Sequence, residues 1–193
     1  MERYEDKIEK ALQYLKQPSK TDARGCAPIV YLVYQPEDAI ILRNIVDTFL
    51  RPKADYYGFN VHSVSMGDLI DKFINNHDYR DIWTDPSVDE AEMYNSIKQE
   101  IVNDEYFEKA IIDIKNKLSS DTQSLLVLRD VEMLHPFYMM GVIENKIYNK
   151  IQVPTLVLYP GETQGTARSF LGVYNQDGNY RSIRECKINC VRL

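Results

Sequence analysis

Short apolar runs rich in β-branched residues recur along this chain, and a helical pattern follows each of the first three. Pro28 to Tyr34 (PIVYLVY) is apolar almost throughout, as a strand buried on both faces requires. Gly58 to Ser65, Ser124 to Leu128 (SLLVL) and Val153 to Tyr159 (VPTLVLY) repeat the theme. Hairpin partners can be joined by two residues, but parallel strands need a crossover of a dozen or more, usually a helix. Helical spacing fills the intervals here: Pro36 to about Leu50, Met66 to Ile74, and Pro136 to about Asn149. Pro36, with Glu37 and Asp38 behind it, suits a first helical turn, where a missing N–H is harmless and carboxylates meet the positive end of the dipole. The alternation predicts a three-layer α/β fold, a mostly parallel sheet with helices on both faces.

Other segments decorate this frame. Tyr4, Ile8, Ala11, Leu12 and Leu15 form a helical stripe, so residues 1–18 are read as an N-terminal helix. Residues 78–120 are read as a helical insertion with two stripes, Met93, Ile97 and Ile101, then Phe107, Ile111, Ile114 and Leu118, interrupted near Asn103 and Asp104. Ser169 to Tyr174 and Tyr180 to Val191 are expected to pair as strands about a turn at Asn175 to Gly178. Residues 1–193 are expected to make one domain, since 44% apolar residues can close a core of this size.

The same composition narrows the functions open to the chain. No apolar run approaches the roughly 20 residues needed to cross a bilayer, and the N-terminus is charged and unlike a signal sequence. Cys26, Cys186 and Cys190 give neither a disulfide framework nor a zinc ribbon. A cytoplasmic location and no membrane partner are expected. A net charge of −6 opposes a phosphate backbone, so direct nucleic-acid binding is not expected, although Arg168, Arg181, Arg184, Lys187 and Arg192 concentrate positive charge late in the chain.

A parallel sheet raises the question of nucleotides, because ligands sit beyond the carboxyl ends of its strands. None of the eight glycines precedes a lysine, and the first strand runs into Gln35-Pro36-Glu37-Asp38. Pro36 removes an N–H donor and two carboxylates oppose an anion, so the arrangement is like that of a P-loop NTPase without its phosphate loop. Strand-end carboxylates are the remaining candidates for phosphate chemistry. Asp38, Asp130 and Glu132 form the candidate cluster, with Glu37, Glu162, Asp177 and Glu185 as further acids; three converging on one ion would give a metal-dependent nuclease or phosphate-processing site. Glu185-Cys186-Lys187 also has the E-x-K form of some nuclease strands. His62, His77 and His135 show no paired metal-ligand spacing, and Ser63, Ser65 and Ser169 lack a nucleophile elbow. The chain therefore offers no assigned catalytic residue, metal or cofactor.

The most distinctive stretch lies after the fourth run. Tyr159-Pro160-Gly161 reads as a strand entering a turn, and Gly165 marks a further bend. The loop so formed, Pro160, Gly161, Glu162, Thr163, Gln164 and Gly165 with Arg168 and Arg181, is the candidate binding element. These residues, with Phe170-Leu171-Gly172 and Asp177-Gly178-Asn179-Tyr180-Arg181, resemble the ending of the BrxB family, whose members belong to bacteriophage exclusion (BREX) defence systems. Leu125 to Leu128 followed by His135-Pro136-Phe137 resembles the family's apolar strand and aromatic-Pro-Phe turn, with His135 where an aromatic is usual. The resemblance implies a component of an anti-phage system, working beside a phosphatase-like protein, a large ATPase and a methyltransferase, and it carries over no catalytic residue. The expected function is a non-catalytic adaptor or regulatory subunit whose partners are other BREX proteins. A metal-dependent nuclease or an inactive nucleotide or small-ligand sensor are the alternatives, the sensor using the loop at Pro160-Gly161 as a pocket wall.

Overall fold

The computed structural model describes residues 3–17, 28–119, 121–164 and 167–171, and of 163, 164, 167 and 168 the backbone alone. Helix α1 (Tyr4–Leu15) opens the chain with Ile8, Ala11, Leu12 and Leu15 buried, the stripe its spacing predicts. Strand β1 (Ile29–Tyr34) follows, then a 3-10 turn Pro36–Asp38 and helix α2 (Ala39–Ile45). The predicted end at about Leu50 is corrected. The chain continues as a π-helical turn, Val46–Leu50, and then as α3 (Arg51–Tyr56). The reason is local: Arg51 N–H reaches back five residues to Val46 O, and the widened turn sets Pro52 in the first turn of α3, where no N–H is needed.

Strand β2 (Asn60–Ser65) leads to α4 (Met66–Asn76), capped by Ser65, whose hydroxyl accepts the Asp68 N–H at 3.2 Å. A short α5 (Arg80–Trp83) precedes α6 (Glu90–Asp104) and α7 (Tyr106–Leu118). These two helices meet at Glu105, whose left-handed φ of 49° makes the break expected near Asn103 and Asp104. Strand β3 (Ser124–Arg129) is followed by a 3-10 turn, Val131–Leu134, and α8 (Met140–Ile147).

Pro136 does not open α8, contrary to expectation. Phe137 and Tyr138 donate their N–H groups back to Leu134 O at 2.9 and 2.8 Å, so His135 and Pro136, joined by a cis peptide, lie in a turn and the helix starts at Met140. Strand β4 (Thr155–Gln164) and β5 (Ala167–Phe170) complete the described elements.

Among the described residues the sheet has five strands, with the path β1-β4-β3-β2 all parallel and β5 antiparallel to β4. Travel from β1 to β2 and the return through β3 to β4 run in opposite directions across the sheet. Crossovers of one hand must then lie on opposite faces. Two buried clusters meet that requirement. Val30, Leu32, Leu125, Val127, Leu156 and Leu158 pack with α1, Leu42, Val46, Leu50 and Ala54 on one face. Tyr31, Leu126, Leu128, Val157 and Tyr159 pack with residues of α4, α6, α7 and α8 on the other. The alternation along each strand sends successive side chains into different layers, which is why the runs had to be apolar throughout. The segment read as an insertion supplies Ile97, Ile101, Phe107 and Ile111 to the second core.

Candidate functional site

The carboxyl ends of β1 and β3 lie on either side of β4, and the chain leaves them for opposite faces. A crevice is expected at such a reversal. An open polar cleft of about 210 Å³ occupies it, lined by Tyr34 and Leu158 from the strands, Arg43 of α2, Arg51 of α3, Ser63, Arg129, Asp130 and Glu132. Asp130 is the most buried acid there, 6% exposed, and takes a left-handed φ of 57° directly after β3.

Two arginines occupy its carboxylate. Arg43 approaches Oδ1 with Nε at 3.0 Å and Nη2 at 2.9 Å, and Arg129 donates Nη1 to Oδ2 at 2.8 Å. Charge-assisted contacts of this kind are short and strong, and here they tie α2 to the end of β3. Arg43 also lies 3.7 Å from Glu132, which accepts the Tyr34 hydroxyl at 3.1 Å. Burial, then the Glu132 and Asp130 charges, push the Tyr34 hydroxyl pKa well above its ordinary value. Arg129 extends the network through Nε to Ser63 Oγ at 3.2 Å.

Of the three carboxylates in the candidate cluster, Asp130 and Glu132 therefore share Arg43, while Asp38 is engaged elsewhere. Tyr4 of α1 donates its hydroxyl to Asp38 Oδ2 at 2.6 Å. Burial and that hydrogen bond raise the Tyr4 hydroxyl to about 12. Glu37 and Glu162 are exposed. Among the described residues no group of three histidines, cysteines or acids is placed to hold a metal ion. Asp177 and Glu185 lie outside the described residues, as do Cys26, Cys186 and Cys190. His77 stacks on Trp83 with ring centroids 4.5 Å apart, and His62 sits on β2 in register with Leu126.

The predicted turn at Pro160-Gly161 is corrected. Strand β4 runs through both residues to Gln164, with Pro160 in register with Tyr34 and Gly161 with Phe170. Proline is tolerated because β4 leaves the parallel ladder of β3 before this point and takes up β5 beyond it. Gly161 has φ 147°, and a Cβ there would collide with the Ser169 carbonyl oxygen of β5. Its role is a close strand approach, not a bend. Likewise the strand expected over Ser169 to Tyr174 is β5, Ala167–Phe170, and it pairs with β4. In the candidate binding element Glu162 is exposed and in register with Ser169, and Thr163 and Gln164 pair by backbone with Arg168 and Ala167. Gly165, Gly172, Arg181 and the stretches Asn175 to Gly178 and Tyr180 to Val191 lie outside the described residues.

Sequence reasoning named Asp130 and Glu132 but missed Arg43, Arg129 and Tyr34, which decide what those acids do. The signal was present in part: an acid ending an apolar strand needs a buried counter-charge, and Arg129 adjoins it.

These features define a three-layer α/β protein whose strand-end crevice is crossed by its own arginine and carboxylate network. The particular family follows from comparison with known proteins: residues 62–184 match the BrxB family model, described as BREX protein BrxB, and the chain belongs to that family. It is accordingly a component of a BREX anti-phage system. Neither the curated proteins nor the solved structures gave a match. No helix among the described residues is long and apolar enough to cross a membrane.

Proposed function

We propose that this chain is a non-catalytic adaptor or regulatory subunit of its BREX system, acting in the cytoplasm through contacts with other BREX proteins, the phosphatase-like or ATPase component foremost. The observation that carries the reading is the double arginine clamp on Asp130. At the strand end where magnesium and phosphate chemistry needs a carboxylate open to the ion, this carboxylate is already charge-paired within the chain. The network gives α2 a fixed position on the sheet, as a scaffold requires. The β4–β5 hairpin with Glu162 at its start remains the proposed contact element, together with Thr163, Gln164, Gly165, Arg168 and Arg181.

The test is co-expression of the tagged full chain with each neighbouring BREX component, beside assays of the purified chain for magnesium- or manganese-dependent hydrolysis of ATP and DNA. Specific recovery of one component, weakened by Glu162→Arg, and no hydrolysis are expected. Hydrolysis abolished by Asp130→Asn would sink the adaptor reading in favour of an enzyme. A second reading, a small-ligand sensor, is favoured by the three arginines lining the strand-end cleft. A rise in melting temperature with a nucleotide, removed by Arg51→Ala, is its expected signature.

A further inference from the structure

The opposite face of the sheet carries a second, larger opening. A groove of about 580 Å³ is lined from α6 by Lys98 and Val102, from the segment preceding α8 by Phe137 and Met139, and from α8 by Val142 and Lys146. Lys98 and Val102 are four residues apart on one helix, and Val142 and Lys146 are four apart on the other, so each pair forms a stripe on one helical face. Met139, Val102 and Val142 are 57, 46 and 39% exposed, a concentration of apolar surface at one place.

We propose that this groove receives an amphipathic helix of a partner protein, its apolar side chains between the two stripes and carboxylates at its flanks. The proposal rests on the adaptor reading and adds a second contact surface to the β4–β5 element. Helix-in-groove recognition needs two apolar walls set by fixed helices. The α8 wall is fixed from behind: Tyr138 donates its hydroxyl to buried Glu108 at 2.7 Å, and Lys146 lies 3.2 Å from Glu105 and 3.5 Å from Glu108. Met139 supplies an adaptable contact, since an unbranched thioether repacks readily.

Charge selects the occupant. The chain carries −6 overall, yet the titratable residues lining the groove are Lys98, His135, Tyr138 and Lys146, with no carboxylate among them. Lys146 already has two glutamate partners, whereas Lys98 makes no ion pair among the described residues. An acidic helix is opposed by the net negative charge of the chain and drawn locally to Lys98, which gives the encounter an orientation.

The test uses purified full-length wild type and the variants Val102→Glu, Met139→Glu and Lys98→Glu, titrated against each of the other BREX proteins from the same system. All three positions are exposed, and an unchanged circular dichroism spectrum at the temperature of the titration serves as the control for folding. At least a tenfold loss of affinity in each variant for one component is expected, with Lys98→Glu steepest at low salt. Full binding by all three variants would overturn the groove while leaving the adaptor reading intact, and failure of wild type to bind any component would sink the adaptor reading itself. Concentration-dependent self-association of wild type, abolished by Met139→Glu, would assign the groove to a second copy. A melting temperature lowered by several degrees in the free Met139→Glu chain would assign it to a segment of this same chain, and either result would overturn the proposal.

Discussion

The strand-end cleft and the α6–α8 groove sit on opposite faces of one sheet and solve opposite problems. In the cleft, every acid drawn from the β3 end is answered by a group of the chain: Asp130 by Arg43 and Arg129, Glu132 by Tyr34 and Arg43. In the groove, Val102, Met139 and Val142 remain uncovered among the described residues. Polar side chains brought together in a crevice can satisfy each other, whereas apolar side chains on a convex rim have nothing to bury against until another surface arrives. The lesson is that charged side chains at a strand end can hold elements of one chain together, whereas an apolar rim gains its burial only from something laid against it.

The largest effect that sharpens this contrast is expected from Asp130→Ala. It leaves two guanidinium groups without their shared carboxylate, and urea unfolding is expected to show a loss of about 2–3 kcal/mol, reduced from a fully buried pair because both arginines reach solvent. A loss below about 0.5 kcal/mol, the level expected of Val102→Glu at the groove rim, would erase the distinction. Next comes Glu108→Ala, which removes a buried acid bonded to groove-lining side chains, leaving the Tyr138 hydroxyl without its acceptor and Lys146 with Glu105 alone. About 2 kcal/mol is expected from equilibrium unfolding. If stability held while partner binding fell, Glu108 would belong to recognition and not to support.

Tyr34→Phe deletes a single hydrogen bond to Glu132, and about 1 kcal/mol is expected at neutral pH. The hydroxyls also set an alkaline limit. Tyr34 is raised by burial and by Glu132, while burial raises Tyr4 and Tyr138 to about 12, helped by hydrogen bonds to Asp38 and Glu108. A phenol whose folded pKa exceeds its unfolded value near 10 holds its proton more tightly when folded, so its stabilisation is complete below about pH 10 and is lost as pH rises toward the folded value. Unfolding followed between pH 9 and 12 is expected to show falling stability, with a shallower fall in Tyr34→Phe. A flat profile would mean these hydroxyls are solvated. The smallest effect belongs to Arg51→Ala, which breaks an exposed pair with Asp47 and is expected to change stability by less than about 0.5 kcal/mol.

Much of the fold was legible because burial on two faces leaves a mark along the chain. Apolar runs at Ile29–Tyr34, Ser124–Arg129 and Thr155–Tyr159 became parallel strands, and the stripes in α6 and α7 became core. Pro160 and Gly161 misled for a physical reason. Their usual meaning is a turn, but it yields where a strand exchanges neighbours and a second strand approaches closer than a Cβ allows. The helix expected to end at about Leu50 runs on through Pro52, because a π turn places that proline where its missing N–H costs little.

The candidate site was legible only as acids at strand ends. By itself the sequence determined the α/β class, the absence of a Gly-Lys phosphate loop and the resemblance to BrxB, since each is written in local periodicity or in a contiguous motif. Tertiary structure alone decided that Arg43, 87 residues before Asp130, would meet its carboxylate, and that Lys98 and Val102 would share a groove with Met139 and Val142. Periodicity tells which face of an element is buried, but the order in which strands assemble decides which distant faces meet.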